Sequence, residues 1–307
     1  MIEIGPTDDA AVWAWWAFMT TAALTNAALW LRSRGSKYTA DDRPESAKDL
    51  AYRSTMTACS FMYAFACGTR SVWLRKDVER VCFFAAAVNW PVVGRSLATA
   101  AEIAFSWQLA AGVRRLADDC RAFRESKALY GFTRAVTAVT VPAITFAQCC
   151  CWQGVVTTQN LAHAVEESIW AVVVALLTVC CIGLALHLPK DAPKGTTARA
   201  EAKMLSDARL FTRVFVAGGV CYVAFMVTVD VPMYIARAAA STKPILGWAD
   251  GLAELSSCVT YDRTLDTWAH DIPWMSGYFT LAVWLSIWLG RGPRLANGTG
   301  AGGEKRD

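Results

Sequence analysis

The sequence predicts an all-α, polytopic membrane protein with seven transmembrane helices, its N-terminus outside and its C-terminus in the cytoplasm. Three observations carry that prediction. Of 307 residues, 55% are hydrophobic and only 18% charged, with 14 Trp and a mean hydropathy of +0.29. The apolar residues gather into runs of about 20, the length that crosses a hydrocarbon core at 1.5 Å per helical residue. Lys and Arg concentrate in alternate loops, as residues retained on the cytoplasmic side do.

The runs follow in order. The first, 10–31, is rich in Trp and Ala. It is preceded by Glu3, Asp8 and Asp9 rather than by basic residues, so it reads as a retained helix and not a cleaved signal peptide. The second is 54–74. Residues 81–113 are too long for one span and too short for two, and Asn89-Trp90-Pro91 interrupts them. Because Pro suits the first turn of a helix, 91–113 is the third span and 81–90 an interfacial or re-entrant piece. The remaining spans are 133–153, 164–188, 215–236 and 272–289. Residues 1–9 form an outer tail. Residues 290–307, rich in Gly and polar side chains, form a disordered cytoplasmic tail. Counted by loop, 22 Lys and Arg fall on the predicted inner side and 7 on the outer. An even number of spans would destroy that alternation.

Composition also argues against other classes. A disordered chain would be richer in charge and poorer in aromatics, and 11 Cys are too sparse for a disulfide-built scaffold. The net charge of +4, without a basic block, offers no nucleic-acid surface. Every Lys lies in a loop or tail, which removes a retinal Schiff base. The three His (His163, His187 and His270) cannot build a three-His metal site. The expectation is therefore no metal and no cofactor, with the lipid bilayer and a small-molecule ligand as partners. Asn297-Gly298-Thr299 matches a glycosylation sequon but lies in the predicted inner tail.

Charge inside the spans is the most informative remaining feature, since an ionised group near the bilayer centre costs roughly 2.5–3.5 kcal/mol on insertion scales. Arg95, Thr99, Glu102 and Ser106 share one face of the third span by their spacing. Gln148 lies on the fourth, and His163, Glu166 and Glu167 open the fifth. Asp230, Tyr234 and Arg237 share a face of the sixth, and Asp271, Trp274 and Tyr278 one of the seventh. Nearly all fall in the outer half, with Glu102 about 10 Å deeper than Arg95. That asymmetry predicts an outward-facing polar pocket closed toward the cytoplasm. Its ligand-binding residues are Arg95, Glu102, Gln148, His163, Glu167, Asp230, Tyr234, Arg237, Asp271 and Tyr278, with the outer loop 238–270 as a lid. Plainer readings stand beside it: Arg95 with Glu102 as a structural ion pair, terminal Trp as an aromatic belt, and membrane Cys as small packing residues. Cys82 and Cys258 are the cysteines of the outer loops and are able to pair if that face is oxidising, a bond that spacing alone does not establish.

Three functions fit these residues. The first is a receptor or carrier for a small zwitterionic or amphiphilic molecule, with arginines holding its anionic part and Glu102 or Asp230 its cationic part. The second is a metal-independent intramembrane isomerase or cyclase using Glu102 and Asp230 as acid and base. The third is a structural subunit of a membrane complex.

Overall fold

A computed structural model of the chain describes residues 8–35, 46–189, 198–241, 244–258 and 260–295. These residues form an all-helical bundle with a three-stranded miniature sheet at one end. Helix α1 (Ala10–Gly35) begins where the Asp9 carbonyl accepts from the N–H groups of Val12 and Trp13. Helix α2 (Ala47–Val72) is capped by the Ser46 hydroxyl, which accepts from the Asp49 N–H at 3.1 Å. Helix α3 (Pro91–Asp119) has the expected Pro in its first turn. After a short α4 (Arg121–Glu125), α5 (Lys127–Thr157) and α6 (Asn160–His187) form a hairpin, turned by Thr158 in the left-handed region at φ 62°.

Two helical runs pass through π-turns. Helix α7 (Ala198–Phe225) continues through a widened π-turn, Met226–Asp230, into α8 (Val231–Ala240). Pro232 has no N–H to return to the preceding turn, and the wider turn absorbs the missing bond. Helix α11 (Asp271–Gly277), which contains Pro273, passes through a second π-turn, Tyr278–Ala282, into α12 (Val283–Leu289). The second π-turn presents the Phe279 carbonyl to the buried Asn26 side chain, which donates to it at 2.9 Å.

Four of the helical runs are long and apolar enough to cross a membrane: Lys127–Thr157, Asn160–His187, Glu201–Ala240 and Asp271–Leu289. Helices α1, α2 and α3 have 26, 26 and 29 residues, but Trp and charged side chains dilute their apolar character. Helix α3 packs against α2 and α5 and also reaches α6 and α12. Midway along it, the fully buried Gln108 donates to the carbonyls of Met56 at 3.0 Å and Ser286 at 2.9 Å, and accepts from the Ser286 hydroxyl at 2.7 Å. One side chain thereby ties three helices.

The segment 81–90 holds a short strand and a 3-10 turn, Ala87–Asn89. Val81–Cys82 is strand β2, paired antiparallel with β1 (Arg75–Lys76) and parallel with β3 (Thr260–Tyr261). A disulfide between Cys82 and Cys258 holds the pairing across 176 residues of sequence. The loop 238–270 is likewise docked rather than a free lid. Its helix α9 (Trp248–Leu255) lies so close to α5 that a Cβ on Gly251 would collide with the Val156 carbonyl, and Trp268 in α10 (Leu265–Trp268) is fully buried. Trp13 and Trp16 do not simply girdle the bundle: they pack on Phe83 and Phe84, and Arg263 stacks over Trp13 while bonding Asp8 at 3.1 Å.

At the opposite end, residues 290–295 are ordered, against the expected disordered tail. The Pro293 carbonyl accepts from Tyr52, Arg294 pairs with Asp49 at 3.0 Å, and the buried Leu295 donates its N–H to Asp119 at 3.1 Å. The expected tails at 1–7 and 296–307, including the sequon, lie outside the described residues.

Candidate functional site

Helical spacing on three neighbouring helices builds one polar network. Arg95 and Glu102 stand two turns apart on α3, and the Arg95 Nη2 donates to Glu102 Oε1 at 2.8 Å. The same nitrogen donates to Gln148 Oε1 of α5, also at 2.8 Å. Gln148 returns its amide to Glu102 Oε2 at 2.6 Å and to Glu166 Oε1 of α6 at 3.4 Å. Thr99, between Arg95 and Glu102, donates to Gln148 at 3.2 Å and accepts from the Trp152 indole at 3.0 Å. Glu166 also meets His163 Nδ1 at 3.0 Å, one turn earlier on α6. Arg95, Gln148, His163 and Glu166 are 6%, 2%, 4% and 3% exposed. Paired charges in a dry interior need this degree of hydrogen bonding to persist.

The network is extended by Tyr234, whose ring stacks on His163 at 5.2 Å. Asp230 lies one turn before Tyr234, within Coulombic reach of Glu166, and Glu167 follows Glu166 directly. Glu167 and Asp230 are half-buried, and neither has a hydrogen bond or ion pair among the described residues. Glu102, Glu166 and Glu167 lie within Coulombic reach of Arg95, and Asp230 within reach of Glu166 and Arg237.

Three of the expected ligand-binding residues make their own contacts outside the hydrogen bonds of Arg95 and Gln148, although Arg237 lies within Coulombic reach of Asp230 and Tyr278 within reach of Glu102. Arg237 is exposed beyond the first π-turn, where it reaches Glu79 at 3.8 Å and lies over the Tyr234 ring. Asp271 pairs with Lys76 of β1 at 3.0 Å and accepts from the Trp274 indole at 2.9 Å. Tyr278 belongs to an aromatic group with Tyr63 and Trp274. Arg237 and Asp271 thus meet loop charges that lie 150 or more residues distant in sequence. Arg95, Glu102, Gln148 and His163 bond to one another or to Glu166, and Tyr234 stacks on His163.

A second, cationic cluster borders the network on the disulfide side. Asp77 lies between Arg75 at 2.9 Å and Arg70 at 3.4 Å. Burial works against the Asp77 charge, but Arg70, Arg75 and Arg95 outweigh it and hold the carboxyl below its ordinary value. Burial brings the Arg75 guanidinium down to about 10, with Asp77 opposing. The Nε atoms of Arg70 and Arg95 are buried without a hydrogen-bond partner. Arg95 thus joins the two clusters: it pairs with Glu102 on one side and acts on Asp77 on the other.

Spacing alone missed Cys151. It lies one turn from Gln148 on α5, fully buried, with its thiol close to Glu166 and His163. A groove of about 420 Å³ between α1 and α12, lined by Arg32, Trp284, Trp288 and Arg291 among others, opens at the opposite end of the bundle and does not touch the network.

Fold and site define an all-helical protein with several helices apolar enough to cross a membrane and a charged network buried among them. Comparisons with protein-family models, curated proteins and solved structures each return no match.

Proposed function

We propose that this is a seven-span integral membrane protein, N-terminus outside and C-terminus cytoplasmic, that binds a small zwitterionic or amphiphilic molecule as a receptor or carrier. The distribution of Lys and Arg supports the orientation. So does the Cys82–Cys258 disulfide, which belongs to an oxidising compartment and lies in loops assigned to the outside.

The observation that carries ligand binding is the pair of half-buried acids without a hydrogen bond or ion pair among the described residues, Glu167 and Asp230, in a bundle where Arg70 and Arg95 each bury an Nε that lacks a hydrogen-bond partner. Acids without an ion pair inside a helical bundle are costly and are retained where they meet a ligand, while Arg70 and Arg95 each keep one nitrogen without a hydrogen bond beyond their pairs with Asp77 and Glu102. A molecule with a cationic and an anionic part would satisfy both clusters, its cation on Glu167 and Asp230 and its anion toward Arg70. The network must open by side-chain rotation to admit it.

Small molecules co-purifying with gently solubilised wild type and with Glu102→Gln test this reading by mass spectrometry. A compound held by the wild type and lost from the folded variant supports it, and no compound in either sample refutes it. The same two acids also favour an isomerase or cyclase as a second reading. The two part on turnover, since a receptor or carrier releases its ligand unchanged.

A further inference from the structure

We propose that Cys151, His163 and Glu166 together bind a divalent transition metal of the zinc class. The expectation of no metal counted histidines alone. A mixed sulfur, nitrogen and oxygen set needs only one.

The sulfur of Cys151, a ring nitrogen of His163 and a carboxylate oxygen of Glu166 all lie within 4.8 Å of one another, and all three residues are buried. Tetrahedral bonds of about 2.0–2.3 Å place donors roughly 3.3–3.8 Å apart, so small side-chain rotations close the set around an ion. The donors sit on well-formed helices: His163 and Glu166 one turn apart on α6, Cys151 on the facing α5. Thiolate with imidazole selects zinc-like ions over magnesium or calcium, which prefer oxygen alone.

Three surrounding features fit a ligand set. Gly154 allows the His163 ring to approach α5, because a Cβ there would come within 2.7 Å of Nε2 and Cδ2. Gln148 holds the second oxygen of Glu166, as outer-shell partners orient a metal-binding carboxylate. His163 turns Nδ1 toward Glu166 at 3.0 Å, so that this nitrogen is the donor facing the set, while Nε2 lies against Gly154.

Charge decides whether a dication is tolerable there. Arg95 opposes it, but its Nη2 is already engaged by Glu102 and Gln148. On binding, the Cys151 thiol gives up its proton to solvent and the metal accepts the sulfur lone pair. The thiolate and the Glu166 carboxylate then neutralise the ion, while Glu102 and Glu167 offset Arg95. Three protein donors leave one tetrahedral position for water or a ligand atom.

The inference stands independently of the small-molecule reading, and its test contains no such molecule. The full chain, purified in detergent with a histidine-free tag and stripped by chelator, is titrated with Co²⁺. The expected result is one ion per chain with a thiolate-to-cobalt charge-transfer band. Cys151→Ser abolishes the band, His163→Gln and Glu166→Gln weaken binding at least about tenfold, and Cys150→Ser leaves it intact. Cobalt-edge X-ray absorption on the wild type, which needs no variant to fold, reads a sulfur neighbour alongside nitrogen and oxygen. A folded wild type that binds no Co²⁺, a band that survives Cys151→Ser, or a cobalt shell without sulfur each overturns the proposal.

Discussion

The guanidinium of Arg75 occupies the volume that a side chain on residue 94 would fill. Gly94, one residue before Arg95 on α3, is the position against which Arg75 packs on its way to Asp77. A Cβ there would strike the guanidinium directly. Arg75 is only 2% exposed, so it has no solvent to retreat into without abandoning Asp77. Gly94→Ala should therefore break a buried ion pair and destabilise the protein by about 3 kcal/mol. A fall in thermal midpoint in detergent checks this. Adding Arg75→Met should restore part of the loss by removing the stranded charge.

Gln148 connects carboxylates on α3 and α6 to Arg95 through both ends of its amide. Gln148→Leu would leave those groups buried and unsatisfied, for an expected loss of about 2–4 kcal/mol. Thr99→Val, at the edge of the same network, should cost about 1 kcal/mol. Equal midpoints for the two variants would show that the amide is not the hub of the network.

Acid should loosen the disulfide end. Asp77 is held low by its arginines, as described. Burial raises the Asp262 carboxyl, but the Thr267 hydroxyl and the Thr264 N–H together bring it below its ordinary value. A carboxyl lowered in the folded state contributes full stability above its unfolded value of about 3.9, and the contribution fades as pH falls through the folded value. Thermal midpoints should therefore show no loss from these two acids above about pH 5, and a decline below about pH 4. Asp77→Asn should start lower at neutral pH and decline less steeply. An unchanged acid slope would contradict this assignment.

Reducing the Cys82–Cys258 bond should cost about 2–5 kcal/mol, because it closes a long loop. The loop that carries Cys258 also tests orientation. In intact cells, a membrane-impermeant maleimide should label Tyr261→Cys, at an exposed position beside this buried bond. Labelling that requires permeabilised cells would reverse the proposed sidedness.

The polar network was legible to the extent that it obeys one helical period. Arg95, Thr99 and Glu102 share a face because of their spacing, and the structure joins them through Gln148. Arg237 and Asp271 also meet Glu79 and Lys76, which come from a loop far away in sequence. No helical periodicity can reveal such a pair. The sheet escaped for the same reason: strands of two residues carry no pattern, and β2 meets β3 across nearly 180 residues. Cys151 was concealed by its neighbours, since in a run of three cysteines each reads as small and apolar until one is seen to face His163 and Glu166. The docking of residues 290–295 rests on Arg294 and Leu295, too few residues to outweigh a Gly-rich composition.

The Arg263 contacts carry a consequence for biosynthesis. Trp13, Phe83 and Asp8 leave the ribosome early, yet their partners Arg263 and Trp268 follow far later in the chain. At about 5–20 residues per second, the 176 residues between Cys82 and Cys258 take roughly 10–35 s to synthesise. For that interval the aromatic surface of the nascent chain has no native cover, and the Cys82 thiol is free to cross-link wrongly. A chaperone or oxidoreductase stationed at the site of insertion would find its longest window of action there.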